Sequence, residues 1–162
     1  MVKFHIVDEA LLQATPEEVE QAFADEAAGR SSWWAPKVQV RTRDGRLPHE
    51  VGTITDYRVA TVGRADRPGA AWFATRVTRS EPGRVETEYF DGAFRGRAVL
   101  TTERVADGRT CIRNDWQTET HGLLMGILAR LLNIGAGHSR VMREGFAGME
   151  RDIARKRATS SA

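Results

Sequence analysis

In the stretch His138-Ser-Arg-Val-Met-Arg-Glu-Gly-Phe-Ala-Gly-Met-Glu-Arg-Asp-Ile-Ala-Arg-Lys-Arg157, Met142, Phe146, Met149 and Ile153 recur at steps of four, three and four residues. That spacing places them on one face of an α-helix, and most of the charged residues fall on the remaining surface. A helix of about twenty residues spans roughly 30 Å, enough to cross a small domain. Gly145 and Gly148 lie along the apolar stripe and are expected to leave room rather than fill it. His138 sits on the same stripe, one turn before Met142. A long closing helix with a soft, gapped inner face predicts a cover over a cavity.

The preceding stretch, from Lys37 to Thr120, has a different period. Apolar and polar residues alternate, and turns fall at Asp44-Gly45, Pro68-Gly69, Pro82-Gly83, Asp91-Gly92 and Asp107-Gly108. About six strands follow, over 37–43, 53–60, 71–79, 84–90, 94–105 and 109–119. Short connections make neighbours antiparallel, hence a meander.

The phase of these strands separates two faces. One carries Gln39, Arg41, Asp56, Arg58, Glu86, Glu88, Arg95, Arg97, Arg113 and Gln117 and is solvated. The other carries Tyr57, Phe73, Thr75, Val85, Thr87, Tyr89, Leu100, Ile112, Asn114 and Trp116. A packed core holds more Leu, Ile and Val and fewer Thr than this inner face does. Apolar walls with a few polar anchors suit a ligand cavity. The alternative is a plain core whose threonines bond to nearby backbone.

Upstream, residues 4–14 read as a further strand, which brings the sheet to about seven. Thr15-Pro16-Glu17-Glu18 then opens a first helix, with Thr as N-cap, Pro at the first helical position and Glu three residues after the cap. That helix is expected to end near Asp25, and residues 26–36 to form a short helix or loop holding Trp33 and Trp34. Residues 122–134 form an apolar helical segment with Leu on more than one side. It packs as an ordinary helix, gates the cavity mouth, touches a membrane during ligand exchange or builds a homodimer interface. Residues 1–157 make a single domain, and 158–162 are expected to be a disordered tail.

Composition sets the outer bounds. A chain of 162 residues, 41% hydrophobic, is long enough for one domain with a sizeable core. No apolar run reaches the ~18 residues of a membrane span, so no stable membrane insertion is expected. One cysteine, Cys111, excludes an internal disulfide and fits a cytoplasmic setting. The net charge of +2 is spread over interleaved Arg and Asp/Glu, which gives nucleic-acid binding little support. Four scattered histidines show no zinc-ligand spacing, and the glycines form no phosphate loop, so neither metal nor nucleotide cofactor is expected.

Several stretches together resemble the START-like SRPBCC superfamily, in particular its polyketide cyclase/dehydratase-like branch. They are Ala14-Thr-Pro-Glu-Glu-Val19, Trp33-Trp34, Val51-Gly-Thr53, Phe94-Arg-Gly-Arg97, Asp107-Gly-Arg-Thr110, Asp115-Trp116 and His138-Ser-Arg-Val-Met-Arg-Glu-Gly145. The resemblance covers nearly the whole chain and implies an α+β helix-grip fold, a curved antiparallel sheet wrapped around the C-terminal helix. It also implies a pocket for a hydrophobic small molecule: a lipid, an aromatic compound or a polyketide. Some members of the superfamily cyclise or dehydrate such ligands and others only carry them.

Within that frame, His138 is the candidate general acid/base, its imidazole kept neutral by the helix N-terminus. Expected ligand-lining residues are Tyr57, Thr75, Thr87, Tyr89, Leu100, Asn114 and Trp116 from the sheet. Met142, Gly145, Phe146 and Met149 complete them from the helix. The alternatives to an enzyme are a non-catalytic carrier or sensor of a hydrophobic ligand, and an interaction protein docking through residues 122–134.

Overall fold

A computed structural model of the protein describes residues 1–161. The chain runs β1 (Lys3–Leu12), α1 (Pro16–Ala27), β2 (Val38–Thr42), β3 (Ile54–Val59), β4 (Ala71–Glu81), β5 (Arg84–Gly92), β6 (Phe94–Arg104), β7 (Thr110–Thr120), α2 (Leu123–Leu131) and α3 (Ile134–Ser160). The strands form one seven-stranded antiparallel sheet in the order β1-β7-β6-β5-β4-β3-β2. The first strand therefore pairs with the last, and α1 carries the chain across to the opposite edge. Burial alternates along β7, where Ile112, Asn114, Trp116 and Thr118 are buried and the residues between them are not. That is the phase read from the sequence.

The boundaries shift for local reasons. β1 stops at Leu12, two residues early, because Thr15 already begins a capping box. Its hydroxyl accepts from the Glu18 N–H at 3.3 Å, and the Glu18 carboxylate accepts from the Thr15 N–H at 2.8 Å. Residues 28–37 form turns rather than a second helix. There the Asp25 carbonyl accepts from the N–H groups of Arg30 and Ser31, and the Glu26 carboxylate accepts from that of Trp33. These bonds fold the chain back before a new helix can start.

α3 begins at Ile134, four residues before His138, with the Asn133 side chain accepting from the Ala136 N–H at 3.2 Å. It also continues through Ala158–Ser160, where a disordered tail is expected. The hydroxyls of Thr159 and Ser160 donate back to the Lys156 carbonyl at 2.9 and 3.0 Å. Ala162 lies outside the described residues.

Where α3 crosses the sheet, Met142, Phe146, Met149 and Ile153 pack with Leu12, Val19, Trp33 and Ile112. The room left by the glycines is taken. A Cβ on Gly145 would stand 2.2 Å from Nε1 of Trp34, and one on Gly148 would stand 2.1 Å from the carbonyl oxygen of Trp33. The two tryptophans stack on each other at 5.0 Å and sit in the notch that the small residues make. The middle of α3 from Gly145 onward is thus closed core, and the open space beside the helix belongs to its start, as far as Met142.

A cavity walled by the sheet and the start of the closing helix

A cavity of about 1200 Å³ lies between the inner face of the sheet, the first turns of α3 and the flank of α2. Tyr57, Thr75, Thr87, Tyr89, Leu100, Asn114, Trp116, His138 and Met142 all line it. Gly145, Phe146 and Met149 do not: they belong to the core around Trp33 and Trp34. The sequence pattern placed all of them on one stripe, but the bulk of the tryptophans divides that stripe into a packed part and an open part.

An aromatic ladder crosses the cavity wall. Tyr57 stacks on Phe73 at 5.1 Å, and Phe73 meets Tyr89 at 5.2 Å. The register explains it, since Tyr57 is the cross-strand partner of Phe73. Burial pushes the Tyr57 phenol up to about 12, against a small opposing effect of the Thr75 hydroxyl. Burial also pushes up the Tyr89 phenol, helped by the neighbouring Tyr57. Both hydroxyls therefore stay protonated and can donate to a carbonyl.

His138 occupies the second turn of α3 and lies flat on Trp116, with ring centroids 4.1 Å apart and planes 13° from parallel. Its Nδ1 is 3.0 Å from Oδ2 of Asp8, with side-chain exposures of 16% and 12%. The pair lacks the alignment of a directed hydrogen bond, and among the described residues neither atom has another partner. This close contact sets Nδ1 of the ring against the carboxylate. The ring lines the cavity. Burial lowers the His138 pKa below the ordinary imidazole value, while the Asp8 charge and contact oppose that shift. The imidazole is thus neutral, as expected, but burial rather than the helix terminus is the first cause.

Asp8 has no place among the sequence-derived candidates. It stands on the inner phase of β1 with Phe4, Ile6, Ala10 and Leu12, as the one charged member of that set. Period two therefore marks it as inward-facing. Its partner is 130 positions away in sequence, and only the pairing of β1 with β7, which sets Asp8 opposite Asn114 and Ile6 opposite Trp116, brings the two together.

Of the other three histidines, His49 lines the cavity where it reaches the surface. His5 pairs with Asp115 at 3.1 Å on an exposed patch, and His121 is exposed just after β7. Burial and the nearby Glu9 and Glu103 carboxylates push the Cys111 thiol up, which disfavours a thiolate nucleophile. Among the described residues no cluster of His, Cys, Asp or Glu could hold a metal ion. Among the described residues no helix is long and apolar enough to cross a membrane. On α2 only Ala129 is buried, whereas Leu123, Leu124, Ile127 and Leu131 are exposed.

Solved structures match this architecture over nearly its full length. An aromatase/cyclase from a Streptomyces species superposes with a TM-score of 0.71 at 14% identity, covering 96% of each chain. A START superfamily protein from Mycobacterium smegmatis gives 0.64 at 15% identity, over 94% of this chain and 99% of that one. The major latex-like protein of Panax ginseng gives 0.62 at 8% identity, over 94% and 99%. The chain has the START-like helix-grip fold. No protein-family model and no curated protein matches it. At these identities the likeness concerns the fold, so the functional reading has to come from the site itself.

Proposed function

We propose that the protein binds a small hydrophobic molecule (aromatic, polyketide-like or lipid-like) in this cavity and moves a proton on it, in a cyclisation or dehydration. The observation that carries the reading is the Asp8–His138 pair set against Trp116 in the cavity wall. The other charged residues that line the cavity, Glu20, Glu81, Arg84 and Arg140, are exposed at the surface. The interior therefore favours a neutral ligand with carbonyl or hydroxyl groups. Two histidines line it: His49 pairs with Glu20 at the surface, and His138 is the general base set in the interior wall.

The chemistry follows from the neutral imidazole. Nε2 takes a proton from the carbon beside a ligand carbonyl; the C–H electron pair becomes the C=C bond of the enolate and the carbonyl π pair moves to its oxygen. O–H groups of Tyr57 and Tyr89 and the Asn114 amide are the available donors to that oxygen. Asp8 stabilises the imidazolium that forms, as a carboxylate behind a catalytic histidine does. For water loss, the same proton passes to a departing hydroxyl while the new double bond closes. Trp116 supplies a flat wall against which a ring stacks.

A carrier that performs no chemistry is the second reading, favoured by a lining that is mostly apolar and hydroxylic. The two are separated by identifying what co-purifies in native mass spectrometry and assaying that scaffold with His138→Ala and Asp8→Asn. Under the enzyme reading both variants still bind but lose turnover, by 100-fold or more for the histidine, in line with the ~10²–10⁴-fold typical of general acid–base catalysis. Unchanged turnover removes the pair from the mechanism.

A further inference from the structure

The cavity reaches the surface at both ends of the strands, and the two mouths differ in chemistry. At one end its lining includes Val62 in the β3–β4 connection and Leu124 and Leu132 in and after α2, all largely exposed. At the other end it includes Glu20 of α1, His49, and Glu81 and Arg84 at the β4–β5 turn. β4 links the mouths, since Ala71 and Glu81, its first and last residues, both line the cavity. Eleven residues of strand make the separation on the order of 35 Å. Between the mouths the sheet contributes neutral groups: Tyr57, Thr75, Tyr89, Leu100 and Asn114.

Charges at the α1 mouth are already satisfied. Nε2 of His49 is 3.1 Å from Oε1 of Glu20, Glu81 pairs with Arg79, and Arg84 pairs with Glu86 at 2.9 Å. A mouth of paired charges offers hydrogen-bonding oxygens and N–H groups but no unmatched charge. It suits a neutral polar group, a hydroxyl or an amide, better than an ionised one. The α2 mouth offers leucine and valine side chains, which suit hydrocarbon, while Asn133 and Arg140 of the same lining are exposed to solvent.

We infer that the cavity is a through-tunnel that holds an elongated amphiphile in a single direction, its hydrocarbon end at the α2 mouth and a neutral hydroxyl or amide head at the α1 mouth. The inference rests on the reading of the cavity as a hydrophobic-ligand site and adds the shape, polarity and orientation of that ligand. It also locates the chemistry. Trp116 lies four residues from the end of β7 at Thr120, on the α2 side, and His138 stacks on it. From Trp116 back to Thr110 is about 20 Å of strand. The carbon presented to His138 is therefore far from the head and close to the hydrocarbon end.

The test uses naphthol as a compact probe and straight-chain primary alcohols as amphiphiles. Hexadecanol is expected to displace naphthol more than about 100-fold more tightly than hexanol, because each added methylene meets apolar wall. Leu128→Asp, at the α2 mouth, is expected to weaken hexadecanol at least tenfold and hexanol little. Orientation is read by photo-crosslinking with two hexacosanols, long enough when extended to span the two mouths, one carrying a diazirine at its methyl end and one beside the hydroxyl. The methyl-end probe should label residues 61–62 or 124–132, and the hydroxyl-end probe residues 48–49 or 81–84. Labelling of the same mouth by both probes, or the reverse assignment, overturns the tunnel while leaving the cavity reading intact if naphthol binds. Failure of naphthol and of every alcohol to bind overturns both.

Discussion

The indole of Trp34 occupies the space that a side chain on Gly145 would need, and its Nε1 donates to the Val141 carbonyl of the same helix at 3.1 Å. This contact marks where the core ends and the cavity begins. Adding a methyl group, Gly145→Ala, forces that ring to move, and overpacking of this kind costs about 1–3 kcal/mol. Gly148→Ala meets the Trp33 backbone oxygen rather than a side chain, so it should cost more. Urea midpoints of the two variants, with Gly148→Ala the lower, are the check.

Trp116 is both wall and keystone. It is 2% exposed and packs against Phe4, Phe94 and His138. Trp116→Ala should therefore cost about 3–5 kcal/mol in addition to any loss of ligand affinity. Denaturant unfolding decides it, and Trp116→Phe should restore most of the stability.

Stability should fall in two separate steps on acidification. Burial keeps folded His138 neutral, so its folded pKa is below its unfolded value and the unfolded chain takes up the proton first. The associated stability is complete above the unfolded value of ~6.5 and declines as pH falls below it. The thermal midpoint of wild type should drop between about pH 7 and pH 5, and that of His138→Asn should drop less.

The second step belongs to the cluster at the far end of α3. Nζ of Lys156 lies 2.7 Å from Asp25 and 2.8 Å from Asp152. Burial alone would raise both carboxylates, but Lys156 and the other donors outweigh it and hold them below the usual range. Their contribution is present above the unfolded value of ~3.9 and lost as pH falls through the folded values. Lys156→Ala should cost about 1–2 kcal/mol at neutral pH, because the lysine is partly exposed and its charge screened. It should also move the acid transition to higher pH, as circular dichroism would follow.

Much of this architecture was legible in the chain. The capping box at Thr15–Glu18, the inward phase of Asn114 and Trp116, and the stripe of α3 are local patterns, and local patterns survive folding. What was not legible depends on residues far apart in sequence. Nothing near Gly145 announces Trp34, and nothing near His138 announces Asp8. Phe146 and Met149 carry the same periodicity as Met142, and only the tryptophans decide that they are core. For residues 26–36 the sequence left a short helix or a loop open: the Asp25 carbonyl and the Glu26 carboxylate decide for turns, and helical periodicity does not encode that competition.

The most direct test of whether the interior is a ligand site is a calorimetric titration with acetonaphthone, a naphthyl ketone. It would use wild type and Leu100→Trp, a variant that fills the mid-wall of the cavity. A ligand site predicts saturable one-to-one binding by wild type and its loss in Leu100→Trp, with the circular dichroism spectrum unchanged. No saturable binding by wild type, or equal binding by both proteins, would contradict the account.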